Sequence, residues 1–557
     1  KGSSGGKIRD GVLLCAGGNE DEAAVAQEKG LPKLAGRHTG SVKILIMRGE
    51  KFMKREFMKI HDMDNVAVAL KELQKGDVCT YGQYHILIKE RIPFGHKIAL
   101  KNFEIGENVI KYGYPIGHVT QPVSIGEHIH SQNLVTNLEG VQEYSYRPEK
   151  NIEKNYSGIF SKMEEDRQKY SFWGYRRKNG KVGIRNEIWI IPTVGCVNKT
   201  AENLARKANQ RYMGMTDGFF ALTHNMGCSQ LGEDLERTQK ILCGLVRHPN
   251  AGAVLILSLG CENNQLKDFL KVLGDISDQR VEFLTIQNVE DEYEEGIKIL
   301  GSLAKEISTD QREWVGANEL VIGFKCGGSD AFSGITANPL CGRINDKIVS
   351  IGGTGILTEV PEMFGAEQIL MDRAVSEQVF DKVVQLINRY KQYFQKYDQV
   401  IYENPSPGNK EGGITTLEEK SLGCVQKGGK APVTGTLDYG EQPKEKGFYL
   451  LNGPGNDLVS CTNLVSSGAQ MILFTTGRGT PFGCIVPTVK ISSNTGLNNR
   501  KNRWIDYNAG RIMEEGIEGV SEDFIKYLLK VASGECRTEN EKNGFREISI
   551  FKDGVIM

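Results

Sequence analysis

One stretch decides how the chain is interpreted. It comprises residues 323–339, Gly-Phe-Lys-Cys-Gly-Gly-Ser-Asp-Ala-Phe-Ser-Gly-Ile-Thr-Ala-Asn-Pro. An apolar run, Leu320-Val-Ile-Gly323, leads into them and predicts a buried strand. At Lys325 the apolar character stops, and polar side chains follow in quick succession with glycines between them. This density of polar groups on a flexible backbone is typical of a pocket for a small, hydroxyl-rich anion, and a polar surface loop is the alternative.

The composition indicates a globular protein of several domains. A length of 557 residues predicts about three to four domains, and 39% apolar with 25% charged residues is ordinary globular material. The formal net charge of −1 argues against nucleic acid or an anionic membrane surface as the main partner. No apolar run reaches the roughly 18 residues of a membrane span, and the first residues lack the pattern of an export signal.

The twelve cysteines are spread along the chain without Cys-x-x-Cys pairs. In a large chain for which we expect no export signal, this spread predicts reduced thiols and a cytosolic location, not a disulfide framework. None of the glycine clusters matches a dinucleotide fingerprint or a P-loop. We therefore expect neither NAD nor ATP as a cofactor.

The hydrophobic pattern predicts a small β domain followed by two α/β domains. Short β-like segments with glycine turns mark the first, and apolar strands alternating with amphipathic helices mark the others, so we expect mainly parallel sheets. Residues 398–447 are rich in Gly, Pro, Lys and Glu and are expected to be irregular, and functional or mobile. The predicted segments are a leader (1–52), a β domain (53–137), a linker (138–171), a second domain (172–315) and a C-terminal domain (316–557).

The predicted leader differs from the rest of the chain, since it shows no clear periodicity. Arg48-Gly-Glu-Lys51 can be back-translated into a purine-rich tract that resembles a ribosome-binding site, just ahead of Met53 and Met58. We therefore expect the natural start at one of these methionines, with the first 52 residues as upstream sequence that is read through. A genuine, variable extension is the alternative, and an intact mass of the native protein distinguishes the two.

Four predicted strands end close to a cysteine, at Cys196, Cys228, Cys261 and Cys326. Ligands of open parallel sheets bind at the carboxyl ends of the strands, so these loops are expected to face a common crevice or two facing ones. Three interpretations stay open: packed thiols, thiolate ligands of iron or of an iron–sulfur cluster, and a catalytic thiol. The lack of tight cysteine spacing argues against a ferredoxin-type cluster.

Histidines are concentrated in the β domain. His128 and His130 are two residues apart, and on a strand such residues project from the same face. Two adjacent imidazoles can bind one divalent metal ion, and a polar strand face is the alternative. His96 follows a proline-containing turn and is either a solvated loop histidine or a member of the same site.

The C-terminal domain contributes further candidates. Arg478, among Gly and Thr residues that include Thr480, is suited to bind a carboxylate in bidentate fashion, and a structural arginine is the alternative. Lys490 could act as a base or a second anion contact. Glu359 could act as an acid–base carboxylate or a metal ligand.

Long motifs then connect the chain with a known family. From about Met58 to Met557 it resembles the altronate/galactarate dehydratase family, whose motifs occur here in the same order. Cys196, Cys228, Cys261 and Cys326 all lie inside shared motifs, as does Cys424. The motifs include Gly126–His130, Pro192–Asn198, Gly227–Gly232, Leu259–Gln265, Lys325–Pro339, Thr358–Glu367, Thr415–Cys424 and Gly477–Pro481.

The resemblance implies a fold and a reaction. The β domain is expected to be a SAF domain with a β-clip fold. The implied activity is dehydration of D-altronate to 2-keto-3-deoxy-D-gluconate in hexuronate breakdown, with Fe2+, or in some members Mn2+, as the cofactor. Related enzymes that act on galactarate or sulfolactate, and a non-catalytic sugar-acid binding protein, are the alternatives. The expected partner is thus a small sugar acid, and a homo-oligomer is compatible with the resemblance.

Residues and resemblance together assign candidate roles. The β domain is expected to supply the metal-binding imidazoles and to close over the α/β crevice, and the identity of the base stays open. The candidate acid–base residues are His96, Lys97, Glu359 and Lys490. The candidate substrate contacts are Lys325, Ser329, Asp330, Ser333, Asn338, Arg478 and Thr480. The candidate metal ligands are His128, His130 and Cys326.

Overall fold

The computed structural model describes residues 55–81, 84–148 and 169–557. The predicted leader lies outside these ranges, and so does most of the predicted linker. Among the residues described, no helix combines the length and the apolar character that crossing a membrane requires.

The N-terminal part is built from short antiparallel strands. They form a four-stranded sheet in the order β1-β2-β5-β8, a three-stranded sheet in the order β6-β7-β9, and the hairpin β3-β4. These strands are β1 (Phe57–Met58), β2 (Val66–Ala69), β3 (Val78–Tyr81), β4 (Tyr84–Leu87), β5 (Lys97–Ala99), β6 (Asn108–Lys111), β7 (Tyr114–Val119), β8 (His128–Ile129) and β9 (Leu134–Val135).

Strand β2 shows how this domain is held. Successive strand residues point to opposite faces, and both faces of β2 are buried. Val66 and Val68 belong to the large core that also contains Phe324 of the C-terminal domain. Ala67 and Ala69 belong to a small separate core. One face of the β domain is therefore packed directly on the C-terminal domain.

The second domain is a four-stranded parallel sheet in the order β13-β12-β14-β15. Its central strands are mostly apolar, as expected for strands that are buried on both faces. The strands from β10 to β15 are Ser171–Arg176, Val182–Gly183, Glu187–Pro192, Phe219–Ala221, Ala251–Ser258 and Val281–Thr285. The helices are α1 (Asn198–Arg211), α2 (Gly232–Val246), α3 (Leu266–Leu273) and α4 (Glu292–Ile307).

The C-terminal domain is a seven-stranded parallel sheet in the order β19-β20-β18-β17-β21-β22-β23. A separate antiparallel sheet, β11-β10-β16, precedes it and includes β16 (Glu313–Gly316). The strands from β17 to β23 are Val321–Cys326, Thr354–Leu357, Val433–Leu437, Gly447–Leu451, Met471–Thr476, Thr488–Ser492 and Tyr507–Asn508. Together with the β-rich start, these parallel sheets confirm the predicted fold class.

Ten helices of the described residues accompany this sheet. The helices from α5 to α9 are Ala337–Ser350, Glu367–Met371, Glu377–Lys396, Pro407–Glu411 and Leu417–Cys424. Those from α10 to α14 are Asp457–Ser466, Thr495–Arg500, Ile512–Glu515, Ile517–Ala532 and Glu539–Asn543.

The order of the strands explains the position of residues 323–339. Strand β17 lies at the centre, with β18 on one side and β21 on the other. The chain thus builds the sheet first to one side of β17 and later to the other, and a crevice forms at the carboxyl ends where the direction changes. The polar stretch that follows β17 begins at this point.

The prediction that residues 398–447 are irregular is wrong. This region contains α8, α9, a 3-10 turn at Val425–Gly428 and the strand β19. The helices are too short to show a periodic pattern, and side-chain caps define where they begin. Ser406 and Asn409 form a capping box at α8, and the Thr416 hydroxyl accepts a hydrogen bond from the Glu419 amide at α9.

Glycine is required at Gly126, two residues before the strand β8. Its φ of +84° is left-handed, and a Cβ atom here would lie 2.1 Å from the Leu87 carbonyl oxygen. Gly76 has a similar φ of +94°, but no atom of the described residues lies within 4 Å of its Cβ position. A comparison of the two positions therefore distinguishes the cost of a left-handed φ from the cost of a steric clash.

We expect Gly126→Ala to destabilise the protein more than Gly76→Ala. Both changes impose an unfavourable φ on alanine at a cost of about 1–2 kcal/mol, but only the first also displaces backbone. Thermal unfolding of the two variants beside the wild type measures the difference. Equal midpoints for the two variants would show that the contact with Leu87 relaxes freely.

Candidate active site

Three histidines of the β domain converge on one point. Strands β5 and β8 pair antiparallel, with Lys97 opposite Ile129, and continuing this register by one residue brings His96 opposite His130. The His96 Nδ1 atom lies 2.9 Å from His128 Nε2, and the rings of His96 and His130 are 4.7 Å apart between centroids. One ring nitrogen from each histidine lies within 4.8 Å of the others.

The imidazoles of this group are held neutral. Burial, and then the charge of neighbouring groups, lowers the pKa of His128 to about 3 and that of His130 to about 4. Burial also lowers the pKa of His96. Neutral rings keep a lone pair at ordinary pH, and imidazole is a good ligand for iron and other divalent transition metals. The three side chains therefore fit such an ion as a donor set.

The residues 409–415 of the C-terminal domain lie against this histidine group. The Thr415 hydroxyl is 3.0 Å from His130 Nδ1, and the Glu411 carbonyl oxygen is 3.2 Å from His96 Nε2. The two backbones touch at Gly95 and Gly413, where a Cβ atom on Gly413 would lie 2.3 Å from the Gly95 oxygen. The site is thus formed at the junction of two domains.

A buried ion network lies directly behind the histidines. The Lys97 ammonium donates to Glu419 Oε2 at 2.8 Å, and Lys111 donates to Glu419 Oε1 at 2.6 Å. All three side chains are at most 1% exposed. Lys97 also donates to Thr415 Oγ1 and to the Gly413 carbonyl. With its three donors engaged, Lys97 holds residues 413–419 in place and does not face the crevice.

Lys97 and Lys111 share the Glu419 carboxylate, and this arrangement shifts the pKa values of the group. Burial favours the neutral form of Glu419, but Lys111 and Lys97 overcome it and bring the pKa of Glu419 down to about 2. Burial lowers the pKa of Lys97 to about 8, and the charge of Lys111 acts in the same direction. The network carries an excess positive charge when both lysines are protonated.

The loop after β17 turns most of its polar groups inward. Asp330 accepts hydrogen bonds from the hydroxyls of Ser333 and Ser493, both at 2.8 Å. The Asn338 amide donates to the Gly423 carbonyl, and its oxygen accepts from Thr475. The structure therefore gives Asp330, Ser333 and Asn338 structural partners, and their role as substrate contacts stays a prediction.

Three other candidate substrate contacts lie in the loops that follow β17 and β21. The Ser329 hydroxyl is buried without a hydrogen-bond partner among the described residues. Arg478 is half exposed, and its guanidinium pairs with the Glu411 carboxylate at 2.8 Å. Glu411 belongs to the segment 409–415, whose backbone contacts His96. Thr480 lies two residues further along and accepts a hydrogen bond from the Phe482 amide at 3.3 Å. These groups border the crevice between β17 and β21.

Cys326 belongs to a second group, apart from the histidines. Its sulfur lies 3.0 Å from Glu362 Oε2 and 3.6 Å from the sulfur of Cys424. The hydrogen bond to Cys326, followed by burial, raises the pKa of Cys424 well above its usual range. Lys420 pairs with Glu362 at 2.8 Å. Sulfur and carboxylate atoms here are also close enough together for one ion.

Glu359 lies beside this cysteine group within a dense set of charges. It contacts the Lys325 ammonium, accepts from the Cys326 amide at 2.8 Å and pairs with Lys427 at 3.2 Å. Its φ of 73° is left-handed, which is unusual for a side chain of this kind. The lysines of this set balance its carboxylates.

Lys490 has different neighbours. Its ammonium has no hydrogen-bond partner among the described residues and lies 5.6 Å from the centre of the Phe545 ring. Burial lowers its pKa to about 8. Its backbone amide donates to Asp506 at 2.8 Å. The structure does not bring it into contact with either ligand group, and its catalytic role stays a prediction.

Sequence reasoning missed several residues of the site. Five of them lie inside the shared motifs Thr358–Glu367 and Thr415–Cys424, but the charged ones have the character of a surface helix or turn. Only burial of the whole of α9 reveals that its charges are internal. The missed residues are Glu362, Asn409, Glu411, Thr415, Glu419, Lys420, Cys424 and Lys427.

Comparisons with known proteins cover nearly all described residues. Sequence models of one family match three segments: the altronate/galactarate dehydratase SAF domain (55–137), the D-galactarate dehydratase/altronate hydrolase second domain (174–308) and the D-galactarate/altronate dehydratase C-terminal domain (317–556).

Curated relatives agree with this match. Altronate dehydratase of Bacillus subtilis is 51% identical over 90% of this chain and 100% of its own length. Altronate dehydratase of Escherichia coli is 47% identical over the same shares. Galactarate dehydratase (L-threo-forming) of Escherichia coli is 32% identical over 90% of this chain and 97% of its own length.

We expect Glu419→Gln to destabilise the protein by about 3–5 kcal/mol at neutral pH, because two buried ammonium groups lose their counter-ion. The pKa of Glu419 in the folded protein is about 2, below the ordinary value of about 4.3. Its contribution is therefore complete above about pH 5 and is lost as the pH falls towards 2.

Thermal unfolding of wild type and variant between about pH 7 and pH 3 tests this, and the gap between the two midpoints should shrink at the acid end. Glu202→Gln is the matched control, since Glu202 pairs with Lys199 on the surface and such pairs contribute little. A gap that does not change with pH would contradict the charge network.

Proposed function

Because the chain belongs to the altronate/galactarate dehydratase family, we propose that it dehydrates D-altronate to 2-keto-3-deoxy-D-gluconate and water in hexuronate breakdown. The observation that carries the choice of substrate is the identity of 51% and 47% to two altronate dehydratases, against 32% to a galactarate dehydratase. The compartment proposed is the cytosol, which the free thiols of the described residues support.

The reaction requires a base, an acid and charge stabilisation at the active site. The C2 proton of an aldonate is weakly acidic because the adjacent carboxylate is already negative. A base takes this proton, the C3 hydroxyl leaves as water after receiving a proton from an acid, and the resulting enol becomes the 2-keto acid. A divalent ion held by protein side chains would supply the charge stabilisation that proton removal needs.

We propose that His96, His128 and His130 hold Fe2+, with Mn2+ as the alternative ion. Three neutral nitrogens that lie within 4.8 Å of one another support this choice, and a set of three protein ligands leaves positions for substrate oxygens. His96, first considered as an acid–base residue, is thereby proposed as a ligand. Lys97 is proposed as a positioning residue, because Glu419, Thr415 and Gly413 occupy its donors.

The substrate is proposed to lie between the histidines and the carboxyl ends of β17 and β21. Arg478 is the candidate for its carboxylate, since the guanidinium is half exposed and its present partner, Glu411, is exposed as well. The unpartnered Ser329 hydroxyl is suited to a sugar hydroxyl. Both groups adjoin the segment that contacts the imidazoles.

A panel of sugar acids tests the substrate. The protein is loaded with Fe2+ without oxygen and assayed for 2-keto acid release from D-altronate, galactarate and sulfolactate. We expect kcat/KM for D-altronate to exceed the others by at least about tenfold, which corresponds to about 1.4 kcal/mol. Faster turnover of galactarate would reassign the substrate, and no keto acid from any of them would favour a binding protein.

Replacement of both His128 and His130 by Ala tests the proposed metal site. We expect loss of bound iron and a fall in turnover of at least about 100-fold, since even groups around metal ligands contribute 10–100-fold. Elemental analysis after desalting and the keto-acid assay measure the two effects.

His118→Ala is the matched control, because His118 lies in the same domain and contacts Asn137 instead of the histidine group. A double variant that keeps its iron and its turnover would exclude the histidines as ligands.

A further inference from the structure

Three cysteines outside the proposed active site share unusual surroundings. Cys196, Cys228 and Cys261 follow the carboxyl ends of β12, β13 and β14, and these strands are neighbours in the order β13-β12-β14. They are the only exposed cysteines of the described residues. Cysteine is among the most buried residue types, so the packing interpretation that suits Cys326 does not apply to these three.

The loops that carry these cysteines are bonded to one another. The Gly195 amide donates to the Met226 carbonyl at 2.9 Å, and the Asn264 amide donates to the Gly227 carbonyl at 3.0 Å. The Ser229 amide donates to Asn263 Oδ1 at 2.7 Å. Each cysteine is next to, or within three residues of, one of these bonds. The loops therefore form one surface at the edge of the sheet.

Close backbone contacts keep this surface in one arrangement. Gly227 has a φ of +100°, and a Cβ atom there would lie 2.1 Å from the Thr193 oxygen. The nearby carboxylate of Glu262 is turned inward, where it accepts from the Thr193 hydroxyl and the Gly260 amide. That carboxylate is therefore engaged inside the protein and does not compete with the thiols as a ligand.

One of the three sulfurs already accepts a hydrogen bond. The Gln287 side-chain amide donates to the Cys261 sulfur at 3.4 Å. Exposed thiols on three neighbouring loops suit a thiophilic metal centre.

The spacing of the thiols argues against a single ion. Only two groups of described residues bring three ligand atoms within 4.8 Å of one another, and the three thiols are not among them. They are thus spread more widely than one ion requires, whereas a cluster of several irons has its thiolates further apart. Consecutive cysteines are 32 and 33 residues apart, so each belongs to a separate βα unit. The fold brings them to one edge of the sheet, and a closely spaced run of cysteines like that of ferredoxins is not needed for this.

We propose that Cys196, Cys228 and Cys261 hold a [4Fe–4S] cluster at the carboxyl edge of the second-domain sheet. Three irons each take one thiolate, with loss of the thiol proton, and the fourth iron is open to water or to an oxygen ligand. The site is separate from the histidine group, and the proposal does not depend on the dehydratase reaction.

Reconstitution tests the proposal without using activity. The full chain is incubated without oxygen with sulfide and with equal amounts of Fe2+ and Fe3+, which supplies the mean oxidation state of the cluster without a further oxidant. We expect about four sulfides per chain after desalting, a brown colour, and an electron paramagnetic resonance signal on reduction.

Single variants Cys196→Ala, Cys228→Ala and Cys261→Ala should each lose at least half of the bound sulfide. Cys536→Ala, at a half-buried cysteine, and the double variant of His128 and His130 should retain it. Circular dichroism checks the fold of each variant, and Cys228→Ser serves if the alanine variant does not fold.

Three results would overturn the proposal. The first is no sulfide bound by the wild type. The second is equal sulfide in the cysteine variants. The third is iron that is bound without sulfide and lost in the cysteine variants, which would show a single ion in place of a cluster.

Discussion

The geometry of the histidine site depends on one buried carboxylate. Glu419 lies between Lys97 and Lys111 of the β domain, and these charges have been removed from water at a high cost that only their mutual attraction offsets. The same contacts fix residues 413–415, which border the imidazoles. A small β domain with modest cores of its own is in this way held in a defined orientation on the C-terminal domain, and its three imidazoles are positioned with it.

Much of the fold could be predicted from the sequence, because its signals are local. The apolar runs of β12 and β14 and the long amphipathic helix α7 are continuous patterns that a short window contains. Residues 398–447 could not be predicted in the same way. Their helices are as short as five residues, and capping and tertiary contacts decide their structure instead of periodicity.

The site was predictable only where its residues are neighbours in the sequence. His128 and His130 could be paired because the strand period is two, whereas His96 joins them through the pairing of β5 with β8, which no local pattern reveals. The acidic and basic residues of α9 have the appearance of a solvated helix, yet the whole helix is buried. Charge pattern alone cannot report such burial.

The distance along the chain between Lys111 and Glu419 has a consequence for biosynthesis. These partners are 308 residues apart, so at 5–20 residues per second the β domain waits about 15–60 s on the ribosome before its counter-ion exists. During that interval water or a chaperone surrounds the side chains of Lys97 and Lys111 and the imidazoles. The nascent β domain thus carries two lysines without their later counter-ion, and it acquires the electrostatic character of the finished protein only after three quarters of the chain have been made.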